Sequence, residues 1–248
     1  MLATWARFQA RFGVADADQT DVTRLIEAVS TDLARYAGRV RGGTPCMEKG
    51  TRVHFFSVRP AGARRLWLPA YPVVSISETL EGLYDAWDDA TTLAEGDDYQ
   101  VDAGSGRLTR IGVWLPGDRA VRVTYTGGYT GPDTFDADGW MPDAWASGAE
   151  YEADDTALLD GVVWLCTEDV AGSTPPAADP DHWERRDVLL PGDVIDACLT
   201  QAGFQWNRRS RIGLVGEGGA GGSISHYARD ELLPGVRKTL DSYRRMTA

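Results

Sequence analysis

The stretch Val121-Arg122-Val123-Thr124-Tyr125-Thr126-Gly127-Gly128-Tyr129 alternates cleanly, with Val121, Val123 and Tyr125 on one face and Arg122, Thr124 and Thr126 on the other. A period of two is the mark of a half-buried strand. The glycines, continuing as Thr130-Gly131-Pro132, are turn formers that end it. Upstream the same period recurs in Val53-His54-Phe55-Phe56, Arg65-Leu66-Trp67-Leu68 and Val73-Val74-Ser75-Ile76-Ser77, separated by Pro and Gly. Tyr99-Gln100-Val101-Asp102 and Arg107-Leu108-Thr109-Arg110 flank Ala103-Gly104-Ser105-Gly106, which predicts a hairpin.

Outside this β-rich middle the period changes to that of helices. Trp5, Phe8 and Phe12 recur at helical spacing, and Gly13 can supply a left-handed stop. Val22, Leu25, Ile26, Val29, Leu33 and Tyr36 form one apolar stripe, with Asp18 or Thr20 as expected N-cap and Gly38 ending the helix. Near the other terminus Pro191 suits a first turn, and Ile195, Leu199, Ala202 and Trp206 share a face. A last helix is expected from about Pro234, with Val236, Leu240 and Tyr243 inward and Arg237, Lys238, Arg244 and Arg245 largely outward. Helices, a small sheet and helices again give an α+β class.

The charge is unevenly spread. The chain carries 37 acidic and 25 basic residues, a net of −12. Residues 132–187 hold 15 of the acids and two of the bases, so the rest has 22 acids, 23 bases and a net of +1. Such a break in composition, bracketed by turn formers at Gly127–Pro132 and Pro191-Gly192, reads as an acidic module inserted in a nearly neutral host. The expected domains are a discontinuous host of 1–131 with 188–248, and a small all-β module of 132–187.

With 248 residues, 43% of them hydrophobic, the chain is long enough to bury a core without disulfides or metals. Cys46, Cys166 and Cys198 are an odd number at wide spacing and are expected as buried hydrophobes. His54, His182 and His226 make no HxxxH pair, and there is no CxxC, so no metal site is expected. No run is long enough to span a bilayer, and Met1–Phe8 lacks the apolar core of a secretory signal. A soluble protein made in a cytoplasm is expected, with no membrane partner.

Several phrases carry weight through their shared order. They are Thr23-Arg24-Leu25-Ile26-Glu27-Ala28-Val29 ending in Tyr36-Ala37-Gly38-Arg39, and Leu66-Trp67-Leu68-Pro69 with Pro72-Val73-Val74-Ser75-Ile76. Gly96-Asp97-Asp98-Tyr99 with Gly106-Arg107-Leu108 follows, then Val123–Tyr129, then Leu232-Leu233-Pro234-Gly235-Val236-Arg237 through Tyr243-Arg244-Arg245. In that order they resemble the tailed-phage head–tail connector (adaptor, head-completion) family, and the resemblance covers 1–131 and 188–248. It implies a helical adaptor domain with a β-rich middle, in a ring beneath a portal protein, commonly a dodecamer, at the neck of a virion. Double-stranded DNA would pass through the ring transiently, and a tail or stopper protein would dock on it. It implies no catalysis. The charge agrees with a conduit: a tight DNA binder needs a basic surface, and a channel that DNA slides through should hold phosphate weakly.

The acidic segment concentrates aromatics: Trp145, Tyr151, Trp164 and Trp183, with Asp160-Gly161 between and Pro180-Asp181-His182 before the last. That spacing resembles small chitin-binding-like carbohydrate modules, compact three-stranded β units. The resemblance implies glycan stacking on those four rings. The other reading is that so small a module needs the same rings as its core.

Other signals are set aside. Gly216-Glu217-Gly218-Gly219-Ala220-Gly221 matches GxGxxG but lacks the strand and helix that the dinucleotide mechanism needs, so it reads as a linker with no cofactor. Asp136-Ala137-Asp138-Gly139 is a poor calcium loop, with Thr134 and Trp145 at ligand positions. No GxSxG elbow or paired-carboxylate motif supports an enzyme. The densest basic run, Arg208-Arg209-Ser210-Arg211, has two readings: dipole complement at a helix end, or contact with the portal or channel. Arg237, Lys238, Arg244 and Arg245 share the second. The sequence thus points to a structural connector, and the alternative is an adhesion protein binding glycan through 132–187.

Overall fold

Thr4 opens the first helix: its hydroxyl accepts the Arg7 N–H at 3.5 Å, and α1 runs Trp5–Phe12. Gly13, at φ +62°, ends it as the sequence predicts, donating its N–H to the Gln9 carbonyl. The protein is described here from a computed structural model over residues 1–41, 44–59, 62–82, 87–131, 142–209 and 232–244. Helix α2 spans Gln19–Tyr36. Neither expected cap acts. A 3₁₀ turn, Asp16–Asp18, leads into α2 and leaves Asp18 with a helical backbone, so its carboxylate makes no capping bond, while Thr20 lies inside the helix.

Helix α3, Gly192–Asn207, follows Pro191 at its N-cap, and α4 spans Pro234–Asp241. The apolar stripes meet in one core of Phe8, Val22, Ile26, Leu33, Val194, Cys198, Ala202, Trp206, Val236 and Leu240. Two buried polar side chains are satisfied inside it. Ser30 accepts the Leu2 N–H at 3.0 Å and donates to Ile26 O, and Gln201 accepts the Leu233 N–H at 2.9 Å. Tyr243, expected inward, is half-buried, with its hydroxyl donating to Asp193 at 2.7 Å. These helices belong to one compact unit, Met1–Gly38 with Pro191–Ala248; Arg39–Leu190 forms the other.

In the second unit β1, Val40–Arg41, and β2, Thr44–Pro45, form a short ribbon. There follow β3 (Gly50–Val58), β4 (Arg65–Trp67), β5 (Val73–Glu81), β6 (Thr91–Thr92), β7 (Tyr99–Asp102), β8 (Arg107–Arg110) and β9 (Gly117–Gly127). One antiparallel sheet runs β3-β9-β5-β6 and a second β4-β8-β7. The predicted hairpin is β7–β8, turning through Gly106 at φ +67°. Strand β9 is central because its alternation lets Val121, Val123 and Tyr125, each 0% exposed, face Phe56, Leu66, Leu68, Leu108 and Trp114. The buried Tyr125 hydroxyl accepts the Ala70 N–H and meets His54 Nδ1, each at 3.0 Å.

The acidic stretch builds its own sheet in this unit. Its strands are β10 (Asp143–Ala144), β11 (Glu150–Tyr151), β12 (Thr156–Leu159), β13 (Val162–Cys166), β14 (Val170–Ala171) and β15 (Trp183–Val188). The order is β10-β12-β13-β15, parallel only between β10 and β12, beside a two-stranded β11-β14 ribbon. This is one strand more than the expected three, since the two residues of β10 add to the β12-β13-β15 meander. Asp160 (φ +51°) and Gly161 (φ +74°) close β12 onto β13 in a two-residue turn whose left-handed backbone suits Asp-Gly. The chain leaves and returns at one place: Thr130 donates its N–H to Val188 O at 2.7 Å, and Leu190 donates to Thr130 O at 2.8 Å. Asp187, 5% exposed, fastens this seam by accepting the Thr130 hydroxyl at 2.6 Å and pairing with the Lys49 ammonium. The class is α+β, as the sequence predicts.

Candidate functional site

The basic residues named from sequence fall into two places on the helical unit. Arg208 caps the end of α3 with its guanidinium 5.1 Å over the Phe204 ring. Arg209 lies 3.4 Å over the Trp206 ring and donates to the Trp206 carbonyl. Both are therefore engaged by rings of their own helix. On and just beyond α4, Arg237 is half-buried while Lys238 and Arg244 are exposed. The Arg244 guanidinium sits 5.7 Å over the Tyr36 ring, and the Tyr36 hydroxyl donates to Asp241 at 3.0 Å, which holds the phenol above its usual pKa. Arg211 and Arg245 lie outside the described residues, as do the GxGxxG stretch and Asp136–Gly139.

The four aromatics of the acidic sheet come together. Trp145, Tyr151 and Trp164 pack, half-buried, on Ala157, Cys166 and Trp183. Trp183 is 2% exposed and meets the Tyr151 ring edge-on at 5.0 Å, so it offers no open face to a sugar. The physical reason is size: a sheet this small closes its core only with large rings. The Tyr151 hydroxyl is occupied too, accepting the Ala146 N–H at 2.8 Å.

Two titratable groups nearby are shifted from their ordinary pKa. The Cys166 thiol donates to Glu168 O at 2.9 Å, and burial pushes its pKa up, the opposite of what an active thiolate needs. His182 Nδ1 lies 2.8 Å from Asp179 Oδ1, a bond that raises the imidazole pKa. A shallow groove between α1 and α3 is lined by Arg7, Ala10, Arg11, Ile195, Asp196 and Leu199. Arg11 spans it to Asp196 at 3.1 Å and donates to the Thr200 hydroxyl at 3.3 Å. Among the described residues no group of three His, Cys, Asp or Glu side chains could hold a metal, and no helix is long and apolar enough to cross a membrane.

What sequence reasoning missed most are buried charges. Arg39, 1% exposed, stacks 3.6 Å over the Tyr71 ring and 5.1 Å from the Tyr129 centroid, and it donates to the Tyr71 carbonyl at 2.5 Å. Asp187 with Lys49 is the other. Neither has a local signal, because each partner lies 32 residues or more away.

No family model matches this chain, and no curated protein matches it. Solved structures do. A chain from the neck of an empty gene transfer agent particle, computed with C6 symmetry, superposes with a TM-score of 0.51 at 14% identity, covering 100% of this chain and 91% of that one. A chain from the neck of the native particle, computed with C12 symmetry, gives 0.45 at 15%, over 98% and 88%. One from the virion of the native gene transfer agent gives 0.47 at 16%, over 100% and 91%. At these identities the likeness is one of fold, and the first of the three carries it: from end to end, this chain is built like a chain of a gene transfer agent neck.

Proposed function

We propose that the protein is a structural subunit of a phage-like particle's neck, a connector placed between portal and tail. The observation that carries this is the superposition over the full chain on a neck chain of a gene transfer agent particle. The order of helical, β-rich and helical segments supports it independently, as do the connector-like phrases on which the sequence resemblance rests. In this reading the function is assembly, with no catalysed reaction. Copies close into a ring, dodecameric in the family resembled; the exposed cations Lys238 and Arg244 face the portal; and a tail or stopper protein docks opposite. The host part, with a net charge near +1, lets double-stranded DNA pass without gripping it. Synthesis is in the host cytoplasm and the final place is the virion neck.

Residues 132–187 are an insertion into the connector domain 1–131 with 188–248. The pairing of Thr130 with Leu189 supports this, because a module whose ends meet can be added without parting the host. The packing of Tyr151, Trp164 and Trp183 on one another favours a structural module over a glycan site. Quantitative mass spectrometry of purified particles tests the function. A ratio of this chain to portal protein near one is the expected result; absence from particles overturns the proposal.

A further inference from the structure

The loop after β8 displays two apolar side chains on a fixed backbone. Ile111 and Val113 are 51% and 52% exposed, both more than any other large apolar side chain among the described residues. Their backbone does not yield. Arg64 donates from Nε to Gly112 O at 2.9 Å and from Nη2 to Ile111 O at 3.0 Å. The Ile111 N–H donates to Asp98 O, and Trp114, 0% exposed, donates its N–H to Ala63 O and its indole N–H to Arg64 O. A loop with such restraint loses little entropy when it docks. Arg64 and Arg65 beside it are exposed, and Arg65 has no ion-pair partner among the described residues.

A second surface with apolar side chains lies on the acidic sheet of the same chain. In the acidic sheet Thr156 pairs with Leu165 and Leu158 with Val163, so these four share a face, and Glu184 opposite Leu165 continues it on β15. Val163 is buried, Leu158 and Leu165 are half-buried, and Glu184 is exposed with no ion-pair partner among the described residues. Across the segment as a whole the described residues include ten exposed acids and one exposed base, Arg186. One patch is apolar and basic, the other apolar and acidic.

We propose that Ile111 and Val113 of one copy seat on Leu158 and Leu165 of the next, with Arg65 meeting Glu184. The occupant is a second copy of this chain, chosen by charge complementarity. Two different patches that fit each other make a head-to-tail contact, which closes into a ring when the rotation closes. The acidic module is then the lateral acceptor of its neighbour. This rests on the ring reading above.

The test uses full-length protein. Val113→Cys and Leu165→Cys chains are mixed and oxidised, the three native cysteines being buried. A disulfide-linked dimer several-fold more abundant in the mixture than in either variant alone is expected. Separately, Arg65→Glu should weaken self-association in sedimentation velocity about tenfold, and Arg65→Glu with Glu184→Arg in one chain should restore it. Rescue also shows that the single variant was folded. If the wild type self-associates but neither the mixed disulfide nor the rescue appears, this interface is overturned and the ring stands. If the wild type stays monomeric and no disulfide forms, this interface is overturned, and the ring is decided separately by the copy number in purified particles.

Discussion

Replacing Asp187 with alanine tests how the acidic sheet is fastened to the chain on either side of it. The carboxylate is 5% exposed, accepts the Thr130 hydroxyl at 2.6 Å and pairs with Lys49, while Arg186 Nε stands off at 3.9 Å. Its removal takes away a hydrogen bond to a charged group, worth about 1.5–3 kcal/mol. The Lys49 side chain remains 32% exposed and donates to Arg186 O at 2.9 Å, so water and that carbonyl keep the ammonium satisfied. The ion pair then adds only about 0–1 kcal/mol. The total, about 2–4 kcal/mol, corresponds to a fall in Tm of roughly 5–15 °C for a chain of this size. Urea unfolding gives the energy, and hydrogen exchange gives the place. The Thr130 and Leu190 amides, which bond across the seam, should exchange faster in the variant. Adding Lys49→Met should recover little more than the ion-pair share. A loss under about 0.5 kcal/mol, with seam exchange unchanged, would refute the argument that this buried carboxylate is a fastening.

Three further outcomes follow from the geometry. Tyr125→Phe strands the buried Ala70 N–H and should cost about 1–3 kcal/mol in urea unfolding, with no change in near-UV signals from Trp183. Trp183→Ala should cost about 3–5 kcal/mol and expose dye-binding surface in the acidic module; wild-type melting would show that the ring is not its core. His182 is held above its ordinary pKa of 6.5 chiefly by the hydrogen bond to Asp179. A raised folded value means that the bond stabilises fully below the unfolded pKa, and that this contribution disappears as pH rises through the folded one. An NMR titration should show His182 protonating above 6.5, and His182→Gln should flatten stability over that range.

Much of the architecture was legible because it is local. The stripe Val22–Ile26–Val29–Leu33, the Gly13 stop, the β7–β8 hairpin and the alternation of β9 depend on period and turn chemistry, which a sequence carries on its face. The acid excess marked its segment for the same reason. Asp160-Gly161, between two apolar runs, was legible for the same reason, and its turn builds the centre of the acidic sheet. Asp18 failed as a cap because the preceding 3₁₀ turn, not its residue type, set its backbone.

By itself, then, the sequence determined the α+β class, the helical ends, most strands and the place of the acid, since each follows from spacing within a few residues. Only the tertiary structure decided which rings are core and which charges are buried. Trp183 and Trp145 look equally eligible for stacking until the fold closes one of them to 2% exposure. Asp187 is one acid among 15 until long-range packing sets Thr130 and Lys49 against it. Burial and charge pairing arise between residues far apart in the chain, and no period along the chain records them.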